Sequence, residues 1–202
     1  MRWEPFEEKA RGQGFQVIAG LDEAGRGPLA GPVVAAAVVF PKIRSMKGID
    51  DSKALSAEQR EKGLSLLQKR ALGVGIGIVE AEEIDRLNIL QASLKAMELA
   101  VKDLPLGPDF LFIDGLHCLK LPMEQEAIPQ GDRRCLSIAA ASIVAKVTLD
   151  RLMVAYHKDY PEYNFARHKG YGTREHLQAI KKYGCCPLHR QSFRTIYQLS
   201  LL

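Results

Sequence analysis

The sequence predicts an α/β fold in which helices flank a mixed central β-sheet. Short apolar runs with the pattern of strands alternate along the chain with longer segments whose apolar residues follow helical spacing. The chain has 202 residues, of which 47% are hydrophobic and 26% charged, as in globular proteins rather than disordered or fibrous ones. We therefore predict a single domain over residues 1–202.

Four segments have the composition of strands. Residues 15–22 alternate between apolar and polar, and residues 33–40 form a valine-rich run that predicts a strand buried on both faces. The glycine-rich loop at 25–32 favours a hairpin between them. Residues 72–79 carry glycine at every second position, which suits close packing of one face, and residues 109–114 form a short buried strand.

Helices are predicted over residues 56–70, 80–103, 136–156 and 173–183. Ser56 and Gln59 form a capping box, Thr173 caps the last helix, and Gly184 ends it. The helix between the last two predicted strands favours a parallel crossover. We expect 115–131 to be irregular, 160–172 to be a loop, and 185–202 to be a short helix or a tail.

Several classes of protein are excluded by motifs that are missing. The apolar stretch at 28–40 is short and broken by glycine and proline, and residues 1–14 are charged without an apolar signal region. The sequence contains no Cys-x-x-Cys pair, so a zinc ribbon is not predicted. The segment at 20–25 lacks the Lys-Ser/Thr of a phosphate-binding loop, and the glycines at 73–77 lie inside a strand. We expect a cytoplasmic protein that does not associate with membranes.

The net charge of +4 is unevenly distributed. Residues 133–202 contain 12 Lys and Arg against 4 Asp and Glu, whereas residues 1–132 contain 16 against 20. A basic end beside a carboxylate-rich body favours a polyanionic partner, and an ordinary solvated surface is the alternative. We expect the basic helical part at 157–202 to contribute to substrate binding.

Four acidic residues lie where they would not stabilise the fold by themselves. Asp22 and Glu23 follow one apolar strand, Asp114 ends another, and Asp132 lies just before a helix. If the first and last strands are parallel neighbours, Asp22 and Asp114 emerge side by side and repel unless a cation lies between them. Mg²⁺ takes such oxygen ligands, and two ions support phosphoryl displacement. Taken singly, each acid is more often a turn former or a helix cap.

Six sequence blocks resemble ribonuclease HII, the type 2 ribonuclease H family. They are Leu21-Asp-Glu-Ala-Gly-Arg-Gly-Pro-Leu-Ala-Gly-Pro32, Asp51-Ser-Lys-Ala-Leu-Ser56, Ile84-Asp-Arg-Leu-Asn88, Phe112-Ile-Asp-Gly115, Ala139-Ala-Ala-Ser-Ile-Val-Ala-Lys146 and His168-Lys-Gly-Tyr-Gly-Thr173. The resemblance extends over residues 15–195. It implies a ribonuclease H-like fold with a small helical C-terminal extension.

The resemblance also implies an activity. Members of the family hydrolyse the RNA strand of RNA–DNA hybrids and incise duplex DNA 5′ to single ribonucleotides, leaving a 3′-hydroxyl and a 5′-phosphate. They remove misincorporated ribonucleotides and RNA primers, and here a monomer is expected. The implied catalytic and metal-binding residues, for two Mg²⁺ or Mn²⁺ ions, are Asp22, Glu23, Asp114 and Asp132. Asp150 is interpreted as a helix surface charge.

Substrate contacts follow from the same resemblance. The 2′-hydroxyl, which alone separates a ribonucleotide from DNA at one site, would be recognised by Gly25, Arg26, Gly27 and Tyr171. The candidate phosphate contacts are Lys53, Lys146, Arg167 and Lys169, and such contacts carry little sequence information. The chain departs from the family at Gln130, where a lysine is usual, so one positive charge near the phosphates is missing or comes from a neighbour.

Two alternatives from other classes remain. One is a non-catalytic module that binds RNA–DNA hybrids, which the basic C-terminal third would support. The other is a junction-resolving nuclease of the same broad fold, which would cut branched DNA and ignore a lone ribonucleotide.

Overall fold

A five-stranded sheet forms the centre of the computed structural model, which describes residues 3–42, 46–50 and 52–199. The strands are β1 (Ile18–Ala24), β2 (Val33–Val39), β3 (Gly73–Val79), β4 (Phe110–Asp114) and β5 (Glu124–Ile128). The helices are α1 (Phe6–Gly12), α2 (Ala57–Arg70), α3 (Ala81–Leu87), α4 (Ile89–Lys102), α5 (Leu136–Asp159), α6 (Phe165–His168), α7 (Arg174–Tyr183) and α8 (Arg194–Leu199).

The sheet is mixed, in the order β3-β2-β1-β4-β5. β1 pairs antiparallel with β2, as the hairpin prediction requires, and β2 pairs antiparallel with β3. β4 pairs parallel with both β1 and β5. The chain therefore crosses from β3 through α3 and α4 to a strand on the far side of β1, which confirms the predicted mixed α/β sheet.

Helices cover both faces of the sheet. β2 is buried along its whole length because Val33, Ala35 and Ala37 pack with α4 on one face, while Ala36 and Val38 pack with α5 on the other. This double burial explains its continuous apolar sequence.

Glycines in the strands allow the helices to approach closely. A Cβ at Gly77 would lie 1.9 Å from the carbonyl oxygen of Ala96 in α4, so no larger residue fits there. A Cβ at Gly20 in β1 would lie 2.2 Å from the backbone of Ser137, in the first turn of α5. The second contact places the N-terminus of α5 directly behind the end of β1.

One predicted helix is in fact two. Residues 80–103, predicted as a single helix, divide into α3 and α4 at Asn88, which has a φ of 70°. The Asn88 side chain accepts hydrogen bonds from the backbone N–H groups of Leu90 and Gln91. Asparagine tolerates the left-handed region and caps helices well, so this break has a local cause that helical periodicity does not reveal.

Other boundaries also differ from prediction. Residues 115–131, predicted as irregular, contain β5, an edge strand whose alternating Glu124 and Glu126 are exposed. The predicted loop at 160–172 contains a 3₁₀ turn and α6, and α1 was not predicted. Polar edge strands and short helices lack the apolar periodicity on which such predictions depend.

The predicted caps are confirmed. Ser56 and Gln59 form the capping box of α2, and Thr173 accepts a hydrogen bond from the N–H of His176 at the start of α7. Within the described ranges, no helix has the length and apolar character needed to cross a membrane. Asp51, in the second sequence block, and residues 200–202 of the predicted tail lie outside the described residues.

Candidate active site

Three of the four predicted acids lie at the edge of the sheet that is formed by the C-terminal ends of β1 and β4. β1 and β4 run parallel, and the last residue pair in register is Leu21 with Ile113. Asp22 and Asp114 each come directly after that pair, so both carboxylates leave neighbouring strands at the same level. Glu23 follows Asp22 on β1 and is partly buried.

The fourth acid reaches this edge through a tight turn after β5. Asp132 lies in a 3₁₀ turn over Gly131–Arg133, which begins after Gln130 in the left-handed conformation. The N–H of Gly131 donates to Asp114 Oδ1 at 2.7 Å. A Cβ at Gly131 would lie 2.5 Å from Ile138 Cδ1 in α5, so the turn is wedged between that helix and Asp114. This packing sets Asp132 beside Asp114.

The carboxylates are buried and repel one another. Asp22 and Asp132 are only 5% and 4% exposed. Burial raises the pKa of Asp22 well above its ordinary value, and the neighbouring charges of Glu23 and Asp114 raise it further. Burial also raises the pKa of Asp114, to which the charge of Asp132 adds, and the pKa of Glu23, which Arg26 partly offsets.

Two cations contact this cluster. Lys53 Nζ lies 3.1 Å from Asp132 Oδ2, and Arg26 lies 3.1 Å from Glu23 Oε1. Both cationic side chains are half or more exposed, whereas their carboxylate partners are buried. Lys53 thus lies with the acids rather than with the other predicted phosphate contacts.

The donor chemistry of the site fits a divalent metal ion. The four carboxylates form a set of hard oxygen donors, and the raised pKa values of Asp22, Glu23 and Asp114 show charges that a cation would stabilise. As they stand, no three His, Cys, Asp or Glu side chains of the described part of the chain are arranged to hold an ion. We infer that the residues which would hold it are Asp22, Glu23, Asp114 and Asp132.

The Gly-Arg-Gly loop and Tyr171 are adjacent. A Cβ at Gly27 would lie 3.4 Å from Tyr171 Cε1, and the Leu29 N–H donates to the Gly170 carbonyl at 2.8 Å. Tyr171 is 47% exposed although it is a large aromatic residue. The Gly-Arg-Gly segment begins directly after Ala24, the last residue of β1, so Tyr171 packs beside a segment that is continuous with the strand of Asp22 and Glu23.

The remaining predicted cations line a separate cleft of about 470 Å³, bordered by α2, α5 and α6. Lys146, Arg167 and Lys169 face it. All three have a partner: Lys146 lies 2.7 Å from Asp150, Arg167 lies 3.3 Å from Glu175, and Lys169 donates to the Ala166 carbonyl. Asp150 also pairs with Arg60, at 3.7 Å, and so belongs to this cleft.

Sequence reasoning missed three contributors to these sites. Arg60 and Arg151 add positive charge to the cleft. Arg190, which is fully buried, donates hydrogen bonds to the loop over 25–32. The only available signal for Arg190 was the basic character of the C-terminal third, because its partners lie far away in the sequence.

Comparison with known proteins gives a consistent result. The model of the family described as Ribonuclease HII matches residues 19–196. A ribonuclease HII from Acetivibrio thermocellus is 56% identical over 188 residues, covering 93% of this chain and 73% of the relative. The crystal structure of ribonuclease H2 from Pyrococcus horikoshii superimposes with a TM-score of 0.78 at 26% identity, covering 92% of this chain and 98% of that one. A Bst-RNase HIII structure in complex with Mn²⁺ shares the fold, with a TM-score of 0.69, 17% identity, and coverage of 98% and 73%.

Proposed function

The chain belongs to the ribonuclease HII family and is a nuclease of the ribonuclease H type, and we propose that it hydrolyses the RNA strand of RNA–DNA hybrids and incises duplex DNA 5′ to a single ribonucleotide. One observation carries the finer part of this proposal: Tyr171 lies beside Gly27 of the loop that follows the acids of β1, where a Cβ added at Gly27 would be 3.4 Å from Tyr171 Cε1. The proposed setting is the removal of misincorporated ribonucleotides and RNA primers by a monomer.

Metal binding is proposed at the four carboxylates. Asp22, Glu23, Asp114 and Asp132 would hold Mg²⁺ or Mn²⁺, most simply as two ions, since both metals suit all-oxygen donors. Bound there, such ions would supply an activated water and stabilise the leaving oxygen of the phosphodiester, which leaves a 3′-hydroxyl and a 5′-phosphate.

The chain itself orients these groups. The N–H of Glu23 donates to Asp22 Oδ1 at 2.7 Å, and the N–H of Gly131 donates to Asp114 Oδ1 at the same distance. Each bond fixes one carboxylate oxygen. Lys53, which contacts Asp132 Oδ2, is long and exposed enough to turn towards a phosphate instead.

Ribonucleotide recognition is proposed at the Gly-Arg-Gly segment and Tyr171. Gly27 has no side chain, so its backbone can approach a sugar closely. The Tyr171 hydroxyl can hydrogen-bond a 2′-hydroxyl, and its exposed ring can pack on the neighbouring sugar. A deoxyribose would leave these polar groups without their partner.

Binding of the duplex backbone is proposed at the cleft. Lys146 and Arg167 would exchange their carboxylate partners for phosphates, and Lys169 would exchange its bond to the Ala166 carbonyl. Arg60 and Arg151 would add to the positive field of the cleft. Binding through phosphates tolerates any sequence and weakens with salt.

The deciding experiment is a cleavage assay on a labelled DNA duplex that carries one ribonucleotide. An all-DNA duplex and an RNA–DNA hybrid are assayed beside it, each with Mg²⁺, Mn²⁺ or a chelator. We expect metal-dependent incision 5′ to the ribonucleotide, cleavage of the hybrid, and no cleavage of the all-DNA duplex. Cleavage of the hybrid alone would remove the role assigned to Gly27 and Tyr171. Binding of the hybrid without any cleavage would instead support a non-catalytic module.

A further inference from the structure

The buried side chain of Arg190 holds the loop over 25–32 through hydrogen bonds. It is 0% exposed, and its guanidinium uses all five of its N–H donors on carbonyl groups of this loop. The acceptors are the carbonyls of Gly25, Arg26, Pro28, Gly31 and Pro32, at 2.6, 3.2, 2.9, 3.0 and 3.0 Å. Among the described residues, every hydrogen-bond acceptor of the guanidinium is a backbone carbonyl, and the Phe193 ring lies 5.1 Å from its central carbon.

These bonds determine where the loop's N–H groups point. The described residues contain no cis peptide bond, and in a trans peptide the carbonyl and the following N–H point in opposite directions. Because the carbonyls of Gly25 and Arg26 point inward to Arg190, the N–H groups of Arg26 and Gly27 point outward. Both residues are exposed, and Tyr171 lies next to Gly27.

Arg190 is itself held by its surroundings. Its own N–H donates to the Leu29 carbonyl at 2.9 Å, and the preceding His189 forms a β-bridge with Ala30. Asp85 accepts hydrogen bonds from the next two backbone N–H groups, those of Gln191 and Ser192. The segment that carries Arg190 is therefore tied both to the loop and to α3.

We propose that Arg190 is the positioning residue for ribonucleotide selection: by fixing the peptide planes at Gly25 and Arg26, it presents the N–H groups of Arg26 and Gly27, beside Tyr171, to the 2′-hydroxyl. The inference rests on the proposed function. Arginine is required because its planar guanidinium donates from three nitrogen atoms to five acceptors, whereas lysine has three donors on a single nitrogen atom. Arg190 does not touch the substrate and acts only through the loop.

The test measures selectivity, which a general loss of stability would not change. The dissociation constants of the full chain are compared for a duplex with one ribonucleotide and for the same all-DNA duplex, in chelator so that nothing is cleaved. We expect the preference of the wild type for the ribonucleotide to fall about fivefold or more in Arg190→Lys, the equivalent of one or two lost hydrogen bonds. Affinity for the all-DNA duplex should change less than about twofold. Arg86→Lys, an exposed arginine on α3, is the matched control.

The outcomes separate the two hypotheses. An Arg190→Lys protein with a native circular dichroism spectrum and the full wild-type preference would overturn the positioning role. If this variant does not fold, Asp85→Asn replaces it, because it loosens the anchor while keeping Arg190, and an unchanged preference would again overturn the role. Equal affinities in the wild type would contradict ribonucleotide recognition itself. In that case, amide hydrogen exchange over residues 25–32 tests whether Arg190 holds the loop. Faster exchange in Arg190→Lys than in Arg86→Lys supports the positioning role, and unchanged exchange overturns it.

Discussion

The Glu7 carboxylate accepts hydrogen bonds from both the backbone N–H and the hydroxyl of Ser137, each at 2.9 Å. Ser137 lies in the first turn of α5, whose own N-cap residue, Cys135, provides no side-chain cap. A residue of α1, 130 positions away, thus caps the helix that closes the back of the acid cluster. The negative charge also interacts favourably with the positive end of the helix dipole.

Replacement of this cap should destabilise the fold. We expect Glu7→Ala to lower the free energy of unfolding by about 1–2 kcal/mol, the usual range for loss of an N-cap. Urea denaturation measures the change. The control is Glu82→Ala, which removes an exposed glutamate with only a 3.9 Å ion pair to Arg86 and should cost less than about 0.5 kcal/mol. Equal losses in the two variants would show that Glu7 acts only as a surface charge.

Asp22→Asn should separate activity from stability. The variant is expected to lose turnover, yet to be more stable than the wild type without divalent ions, because burial and two neighbouring acids disfavour the native carboxylate. Thermal unfolding with and without Mg²⁺ or Mn²⁺ measures both effects, and the ion should stabilise the wild type more than the variant. Asp159→Asn, at the exposed end of α5, should resemble the wild type. Residual activity near the wild-type level would reject the assignment of Asp22.

Tyr171→Phe should reduce selection rather than folding. Loss of one hydrogen bond predicts a roughly three- to tenfold fall in kcat/KM on the single-ribonucleotide duplex, and Tyr171→Ala should lose more because the ring is also removed. Since Tyr171 is half exposed, stability should change by less than about 0.5 kcal/mol. Tyr183→Phe, another exposed tyrosine, is the control. An unchanged kcat/KM on the single-ribonucleotide duplex in both Tyr171 variants would argue against a role of this residue in recognition.

Arg167→Ala should lower the salt dependence of duplex binding. Each phosphate contact contributes about 0.9 to the slope of log K against log salt on B-form DNA, so the slope should become shallower by about one. Fluorescence anisotropy across a salt series gives the slope. Lys102→Ala is the control, since this lysine ends α4 on the opposite face of the sheet from α5. If both variants keep the wild-type slope, the cleft does not bind phosphates.

Three buried histidines should make stability depend on pH. Burial lowers the pKa of His176 to about 4 and also lowers those of His168 and His189. His176 Nε2 and His189 Nε2 lie 3.1 Å apart, so one of them must accept the hydrogen bond. A histidine whose folded pKa is depressed contributes its full stability above about pH 6.5, and this contribution is lost as pH falls from there towards 4.

The comparison of wild type with His176→Asn isolates this effect from the acids. Their difference in unfolding free energy should shrink by about 1–2 kcal/mol between pH 7 and pH 4.5, because only the wild type must keep this buried ring neutral. Denaturant titrations at several pH values provide the measurement. The exposed His117→Asn should follow the wild type at every pH, and a constant difference for His176→Asn would contradict the prediction.

Local patterns were sufficient for much of the fold. The strand of residues 33–40, the capping box at Ser56 and the end of α7 at Gly184 were predicted correctly, because each depends on residues a few positions apart. The placement of Asp22 beside Asp114 followed from one further assumption, that the first and last predicted strands are parallel neighbours, which the register confirms. The break at Asn88 and the polar strand β5 were missed because neither interrupts or creates an apolar period.

Neighbouring residues encode the α/β class, the acids at strand ends and the motifs of the ribonuclease HII family, so these features can be predicted from the sequence. The packing of the whole chain is needed to bring Glu7 to the start of α5, Lys53 to the acids and Arg190 to the loop over 25–32. Those contacts join residues 79 to 165 positions apart. A buried guanidinium or carboxylate needs hydrogen-bond partners, and the packing of the whole chain determines which distant residues supply them. No local sequence pattern encodes those partners.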